Sequence, residues 1–226
     1  LNNVSIGVES NYKNAIGRLW LQYGQSASIV QDLDGSINKG RNTNINNLKY
    51  IREAAAGYHF NKLHGLNVEM GIFMSYIGLE SYVTQENWSY QRSLLCDFTT
   101  FYFSGARVKA YLTKKYKMEL WVLNGWQSYN SYSNAPGLGW SNYYRPNENI
   151  QLVANFYYGK DSQNPDTLGR QSNRKRFHHD NSIVARYYKN KESKGISQAA
   201  FSLNSHYGFQ YNNQDGDTLK SNQNNR

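Results

Sequence analysis

The sequence has almost no cysteine and no long apolar run, and each absence excludes a class of protein. Cys96 is the single cysteine in 226 residues, so no disulfide forms within the chain and pairing gives no information on the redox compartment. No run approaches the ~18 apolar residues of a membrane-spanning helix, which excludes a helical membrane protein. The chain begins at Leu1 without a charged and then an apolar segment, so we expect the printed residues to lack a signal peptide.

Aromatic residues are abundant although the chain is polar overall. They make up 15% of the residues, with 20 Tyr and 5 Trp, while the hydrophobic fraction is 39% and the mean hydropathy is −0.78. A membrane β-barrel combines a polar interior and polar loops with an apolar outer band and two aromatic girdles, which explains this pairing. The formal charge of +9 is scattered along the chain, which favours solvated loops and lumen walls over a nucleic-acid surface.

Residues 66–77 show the clearest strand pattern. One parity is wholly apolar, whereas the other is mostly polar and includes Glu69. Successive side chains of a strand point to opposite faces, so this stretch predicts a strand with one apolar face. It is long for a soluble strand but covers the ~9–11 tilted residues that cross a bilayer in a barrel.

About ten such stretches follow one another, and the connections between them alternate in length. The short connections are predicted at 11–14, 61–65, 113–116, 145–148 and 189–195, and the longer ones at 26–48, 78–100, 128–136 and 160–177. Outer-membrane barrels have short periplasmic turns and longer extracellular loops. We therefore predict an all-β, antiparallel up-and-down transmembrane β-barrel over residues 1–211.

Residues 212–226 are predicted to form a polar loop or tail, because they contain too little apolar surface to pack. The chain starts inside a strand and no closing strand follows Tyr211, which leaves room for further strands of a larger barrel. A soluble β-sandwich is the alternative fold. The outward stripes of aliphatic and aromatic residues disfavour it.

Strand parity also predicts which charged residues line the pore. The predicted pore-lining residues are Glu53, Glu69, Arg107, Lys109, Glu119, Asp180 and Arg186. Opposed cations and carboxylates either create a transverse field that orients a solute or neutralise each other in a closed lumen. Arg52 falls on the outward parity, where a long cation near a strand end snorkels to the headgroups.

The long connection at 78–100 carries a candidate constriction. Its charged and aromatic residues Glu86, Trp88 and Arg92 have two possible placements. They either fold into the barrel and narrow the pore or cap its mouth.

Other chemistry is weakly supported. Adjacent His178 and His179 point to opposite faces of a strand, so with Asp180 they predict no metal site. Ser182, His206 and Asp180 are the residue types of a hydrolase triad, but their spacing is uninformative and a structural role is favoured.

The glycines form no phosphate-binding pattern, so no cofactor is expected. Aromatics fall at strand ends, as girdle residues do, and no nucleic-acid partner is expected.

Several stretches resemble a known family. They are Gly71–Tyr82, Glu86–Leu95, Phe101–Arg107, Leu120–Tyr129, Arg145–Asn147 and His179–Ser182. Together they resemble the OmpL-like family of β-barrel porins over roughly residues 15–203, and the Leu-Asn-Gly-Trp-Gln stretch at 123–127 is the most specific part. The resemblance implies an outer-membrane β-barrel of Gram-negative bacteria, assumed to be a porin, with no catalytic motif to carry over.

The expected function is passive diffusion of small hydrophilic solutes through a water-filled lumen, with outer-membrane lipid around the barrel. The alternative is a non-conducting outer-membrane barrel that acts as a surface scaffold or adhesin through the long loops at 26–48, 78–100 and 160–177. A barrel enzyme is not expected. The sequence carries no signal for the solute, the ion preference, the pore radius or the oligomeric state.

Overall fold

Ten strands form one antiparallel sheet, and each pairs with its neighbour in the sequence. The computed structural model describes residues 3–32, 34, 48–88, 92–131, 135–160, 175–190, 192 and 195–211. The strands are β1 (Val4–Tyr12), β2 (Ala15–Tyr23), β3 (Ile51–Phe60), β4 (Leu66–Met74), β5 (Tyr102–Tyr111), β6 (Tyr116–Leu123), β7 (Gly137–Asn147), β8 (Ile150–Lys160), β9 (Lys175–Lys189) and β10 (Gln198–Tyr211). The predicted up-and-down order is confirmed. Within the described residues β1 and β10 do not pair, so the sheet is not closed.

Connections at the two ends of the sheet differ in length, as predicted. We call one end the short-turn end, where residues 13–14, 61–65, 112–115, 148–149 and 190–197 join the strands. The other is the long-connection end, where residues 24–50, 75–101, 124–136 and 161–174 join them. The predicted tail at 212–226 and much of the two long loops, at 35–47 and 161–174, lie outside the described residues.

The two faces of the sheet have opposite chemistry, and the apolar one faces out. In β4, Val68 and Met70 are 41% and 69% exposed, while Glu69 between them is 2% exposed. A soluble protein buries its apolar face, whereas a barrel in lipid exposes it and keeps its polar face inside. The same exposure recurs across the sheet for Ile6, Val8, Leu19, Leu21, Val108, Leu120, Val122, Leu138, Ile183, Phe201 and Leu203.

Exposed aromatic side chains gather near both ends of the strands. Tyr12, Tyr58 and Tyr187 lie near the short-turn end, while Tyr23 and Phe209 lie near the long-connection end. Amphipathic rings prefer the two membrane–water interfaces, so the outer face has the pattern of an apolar band between two girdles.

A β-bulge changes the direction of one predicted side chain. Trp20 pairs with Glu53 and Leu21 pairs with Ile51, which leaves Arg52 as the extra residue. Arg52 is 6% exposed and its guanidinium lies 4.4 Å from the centre of the Trp20 ring. The prediction that Arg52 faces outward is therefore wrong, because a bulge interrupts the period of two on which the prediction depends.

β7 also departs from the sequence pattern. The sequence predicts a short connection at 145–148, but β7 continues through Pro146 to Asn147 with a register irregularity between Tyr144 and Asn147. Proline lacks the amide donor of the ladder and is tolerated at such irregular positions.

Helical turns lie within two of the long connections, where the sequence pattern suggested only loops. They are α1 (Gln25–Asp32), a 3₁₀ turn (Thr84–Glu86) and α2 (Leu94–Asp97). None of the helices in the described part of the chain is long and apolar enough to cross a membrane.

Candidate lumen and constriction

Residues 75–88 and 92–101 of one long connection, which we call the inner segment, pack against the inner face of the sheet. The hydroxyl of Tyr82 donates to Oε1 of Gln22 on β2 at 2.6 Å. At the opposite side, Nδ2 of Asn204 on β10 lies 3.4 Å from the Sγ atom of Cys96. The inner segment therefore spans the interior from β2 to β10. Burial raises the pKa of the Tyr82 phenol above its ordinary value, so the hydroxyl stays a neutral donor.

Aromatic side chains fill the interior near the long-connection end. Tyr76 of the inner segment stacks on Phe103 and Trp121 with ring centres 5.2 and 4.8 Å apart, and its hydroxyl donates to the Phe156 carbonyl at 2.8 Å. Two apolar clusters form there. The first contains Ala55, Phe73, Ile77, Phe103, Trp121, Leu123, Trp126 and Tyr157, and the second contains Val30, Tyr82, Val83, Tyr102 and Tyr129. The sequence analysis did not predict this packing.

Polar contacts fix the inner segment to β8 and β9. The amide of Gly78 donates to Oδ2 of Asp180 at 3.4 Å, and Nδ2 of Asn155 donates to the same oxygen at 3.0 Å. Asp180 is fully buried. The predicted pore-lining residue Asp180 thus lies against the inner segment and anchors it.

A charge cluster lies on the inner face next to the inner segment. At its centre, Glu69 accepts a hydrogen bond from Arg107 Nε at 2.8 Å and from Arg18, and Lys109 Nζ lies 3.8 Å away. Glu69 is 2% exposed, so three cations surround one buried carboxylate. Cross-strand register explains the arrangement, because Glu69 pairs directly with Arg107.

The cluster extends to both sides of Glu69. Lys117 lies 2.8 Å from Glu119, and Arg107 lies 4.0 Å from the same carboxylate. On the other side, Glu53 lies 3.5 Å from Arg18 and 3.6 Å from Arg52. We call this group the central charge cluster; its members are Arg18, Arg52, Glu53, Glu69, Arg107, Lys109, Lys117 and Glu119.

The structure brings five of the seven predicted pore-lining residues into this cluster and adds three that the sequence analysis missed. Lys117 shares its parity with Glu119, so the pattern contained a signal for it. Arg18 likewise shares its parity with the half-buried Trp20. For Arg52 the strand pattern gave no such signal, because the bulge reverses its parity.

Two cavities follow the inner face toward the short-turn end. The central cavity, about 370 Å³, is lined by members of the charge cluster and by Ser75, Tyr76 and Gly78 of the inner segment. The short-turn cavity, about 640 Å³, is lined by the predicted residues Arg186 and Trp88 among others. Gln151 lines both cavities.

The three predicted constriction residues separate into two places. Glu86 and Arg92 line a small cavity of about 130 Å³ within the inner segment, whereas Trp88 reaches the short-turn cavity. The Arg92 guanidinium lies 4.3 Å from the centre of the Phe101 ring and donates to Thr99 Oγ1 at 3.1 Å. Burial lowers the pKa of the Arg92 side chain from its ordinary value.

The histidines and Ser182 have structural contacts. His178 lies inside, 5.2 Å from Trp126 by ring centres, while His179 stacks on Phe156 at 4.2 Å. The Ser182 hydroxyl donates to Oδ1 of Asn204 at 3.0 Å. In the ranges that the structure describes, no group of three His, Cys, Asp or Glu side chains is placed to hold a metal ion.

Comparison with known proteins identifies one family. The family model described as "Putative beta-barrel porin-2, OmpL-like" matches residues 1–226. No curated protein and no solved structure matches the chain. The match agrees with the up-and-down sheet, its apolar outer face and its charged inner face, and the family implies an outer-membrane location. The chain belongs to the OmpL-like family of β-barrel porins.

Proposed function

We propose that the protein is an outer-membrane channel for passive diffusion of small hydrophilic solutes. The outer face supports contact with lipid, because exposed aliphatic side chains lie between two aromatic girdles. The inner face supports contact with water, because it carries charged side chains that form ion pairs with one another and line a cavity.

The observation that carries the proposal is the pair of polar cavities along the inner face. Both the central and the short-turn cavity are bounded by charged or amide side chains, and Gln151 borders each of them. The hydrogen-bonding and charged groups that line a pore set which polar solutes pass through it, and both cavities supply such groups.

The inner segment supplies the narrowest part of the proposed path. Glu86 and Arg92 border its cavity of about 130 Å³, so a carboxylate and a guanidinium bound the same small space. Opposed charges in a constriction create a transverse field that orients dipolar solutes as they pass. Transport needs no energy source in this mechanism, since the solute gradient supplies the driving force.

A second candidate function is favoured by a different observation. The two aromatic clusters fill the interior near the long-connection end and pack the inner segment tightly. A barrel blocked in this way does not conduct, and its long loops then serve as a surface scaffold or adhesin.

Planar-bilayer recording distinguishes the two candidates. The channel predicts stepwise conductance from the purified, folded protein, and the double variant Glu86→Ala with Arg92→Ala is expected to increase the step size because it removes both side chains from the cavity of about 130 Å³. Glu192→Ala, an exposed turn residue that lines none of these three cavities, is the control and is expected to leave the step size unchanged. Folded, inserted protein that stays silent supports the scaffold.

A further inference from the structure

We infer that the short-turn cavity is an anion site, so that the solutes concentrated at this mouth are small anions. The inference rests on the proposed channel and adds the charge class of its solute. The charged residues that line the cavity are Lys114, Lys115, Arg145, Arg186 and Glu148. Four cations and one carboxylate give this wall a formal charge of +3.

No carboxylate in the described part of the chain pairs with any of the four cations. Among the described residues, no carboxylate oxygen lies within 4.0 Å of any of them. The central charge cluster is different, because each of its cations has a carboxylate partner at 4.0 Å or less. The central charge cluster keeps a formal charge of +2 from five cations and three carboxylates, but only in the short-turn cavity do the cations lack a described carboxylate partner.

Backbone hydrogen bonds hold the four cations on adjacent elements. The Arg145 amide donates to the Lys115 carbonyl at 2.8 Å, which fixes the β5–β6 turn beside the end of β7. The Arg186 amide donates to the Asn149 carbonyl at 2.8 Å, which fixes the β7–β8 turn beside β9. The positive charges thus face one space from three neighbouring parts of the sheet.

The protein holds one of the two guanidinium groups against the wall of that space. Arg145 donates to Gln151 Oε1 at 3.0 Å and to the Tyr143 hydroxyl at 2.7 Å, which orients the guanidinium along the cavity wall. Arg186 lines the same cavity, and neither arginine has a carboxylate partner among the described residues. Guanidinium groups placed in this way beside an open cavity are suited to carboxylate or phosphate oxygens.

Charge concentrated in a cleft raises the local concentration of counter-ions by about tenfold or more. The first test is the reversal potential of the protein in a planar bilayer under a KCl gradient. The wild type is expected to favour Cl⁻ over K⁺. The double variant Lys115→Gln with Arg186→Gln removes two of the four cations and therefore only part of the counter-ion enrichment. It is expected to lower the Cl⁻/K⁺ permeability ratio by about threefold.

A matched control removes the same charge from the same end of the sheet. Lys13 and Lys62 are exposed turn residues at the short-turn end and do not line the cavity. The double variant Lys13→Gln with Lys62→Gln is expected to leave the permeability ratio unchanged. Equal effects of the two double variants, or a wild type without anion preference, would overturn the inference.

A second readout does not require conduction. Trp88 lines the cavity and is 62% exposed, so its fluorescence reports which ions enter. The Trp88 signal, taken as the difference between the wild type and Trp88→Phe in detergent, is expected to show a higher ratio of iodide to caesium quenching than free tryptophan does. The Lys115→Gln, Arg186→Gln variant removes that difference, whereas the Lys13→Gln, Lys62→Gln control keeps it.

The two readouts separate the inference from the proposed function. A silent protein whose Trp88 exceeds free tryptophan in its ratio of iodide to caesium quenching has the anion site but is not a channel. A conducting protein whose Trp88 does not exceed free tryptophan in that ratio, and which has no anion preference, is a channel without the anion site.

Discussion

Glu69 carries the most direct prediction about stability, because three cations depend on one buried carboxylate. Its side chain is 1% exposed, and Arg18, Arg107 and Lys109 are 19%, 9% and 15% exposed. The substitution Glu69→Ala leaves these cations with the more distant carboxylates of the central charge cluster only. Removing one partner of a buried pair costs about 3–5 kcal/mol, because the remaining charge stays in a poorly solvated place.

The lower end of that range applies here, since the central cavity admits some water to the cations. We expect Glu69→Ala to lower the free energy of unfolding by about 3 kcal/mol. For a chain of this length the midpoint of thermal unfolding then falls by roughly 6–12 °C. The assay is unfolding of the full chain in detergent micelles, followed by tryptophan fluorescence and circular dichroism.

Two comparisons make this test specific. Glu148→Ala removes an exposed carboxylate from a turn and is expected to change stability by less than about 0.5 kcal/mol. Adding Arg107→Gln to Glu69→Ala removes one of the unpaired cations, so the double variant is expected to be more stable than the sum of the single effects. A Glu69→Ala protein as stable as Glu148→Ala would refute the reasoning.

Three further outcomes are expected from the same unfolding assay and from thiol labelling. Gly71→Ala is expected to lower the free energy of unfolding by at least about 2 kcal/mol, because a Cβ at residue 71 meets the Ala54 carbonyl and the φ angle there is +146°. Gly17→Ala is the control and is expected to be tolerated, because a Cβ at residue 17 has open space around it. Because folding raises the pKa of the Tyr82 phenol, its contribution to the free energy of unfolding is complete below pH 10.0 and is lost as the pH rises further. Tyr82→Phe is expected to flatten this dependence of stability on pH. An unchanged dependence would contradict the burial of the phenol. Cys96 is fully buried, so a thiol reagent is expected to label it only on unfolding, and rapid labelling of the native protein would contradict the packing of the inner segment.

Much of the sheet was predictable from the sequence because each strand meets two different solvents. Lipid on one side and polar side chains or water on the other enforce a period of two, as the contrast between Met70 and Glu69 shows. The same parity predicts that Arg107 and Lys109 face inward. Register across a short turn then follows from the turn itself, as at residues 112–115, which place Lys109 opposite Glu119.

The interior of the sheet was not predictable to the same extent. The hydrogen bond from Tyr76 to Phe156 joins residues 80 positions apart, and no local pattern specifies such a contact. The sequence of the inner segment therefore predicts a polar loop, although the segment packs among aromatic rings. The side chain of Arg52 was predicted on the wrong face of the sheet for another reason. One extra residue in a bulge reverses the face on which a side chain lies, and a bulge has no distinctive sequence signal.

The central claim is that the inner face lines a conducting path, and single-channel recording with cysteine modification tests it most directly. In a Cys96→Ser background, Gln151→Cys places a thiol beside both cavities, while Ile183→Cys places one on the exposed outer face. A charged methanethiosulfonate reagent is predicted to reduce the current through the Gln151→Cys protein and to leave the Ile183→Cys protein unchanged. Absence of current from both proteins, or a current that modification of Gln151→Cys does not alter, would contradict the account.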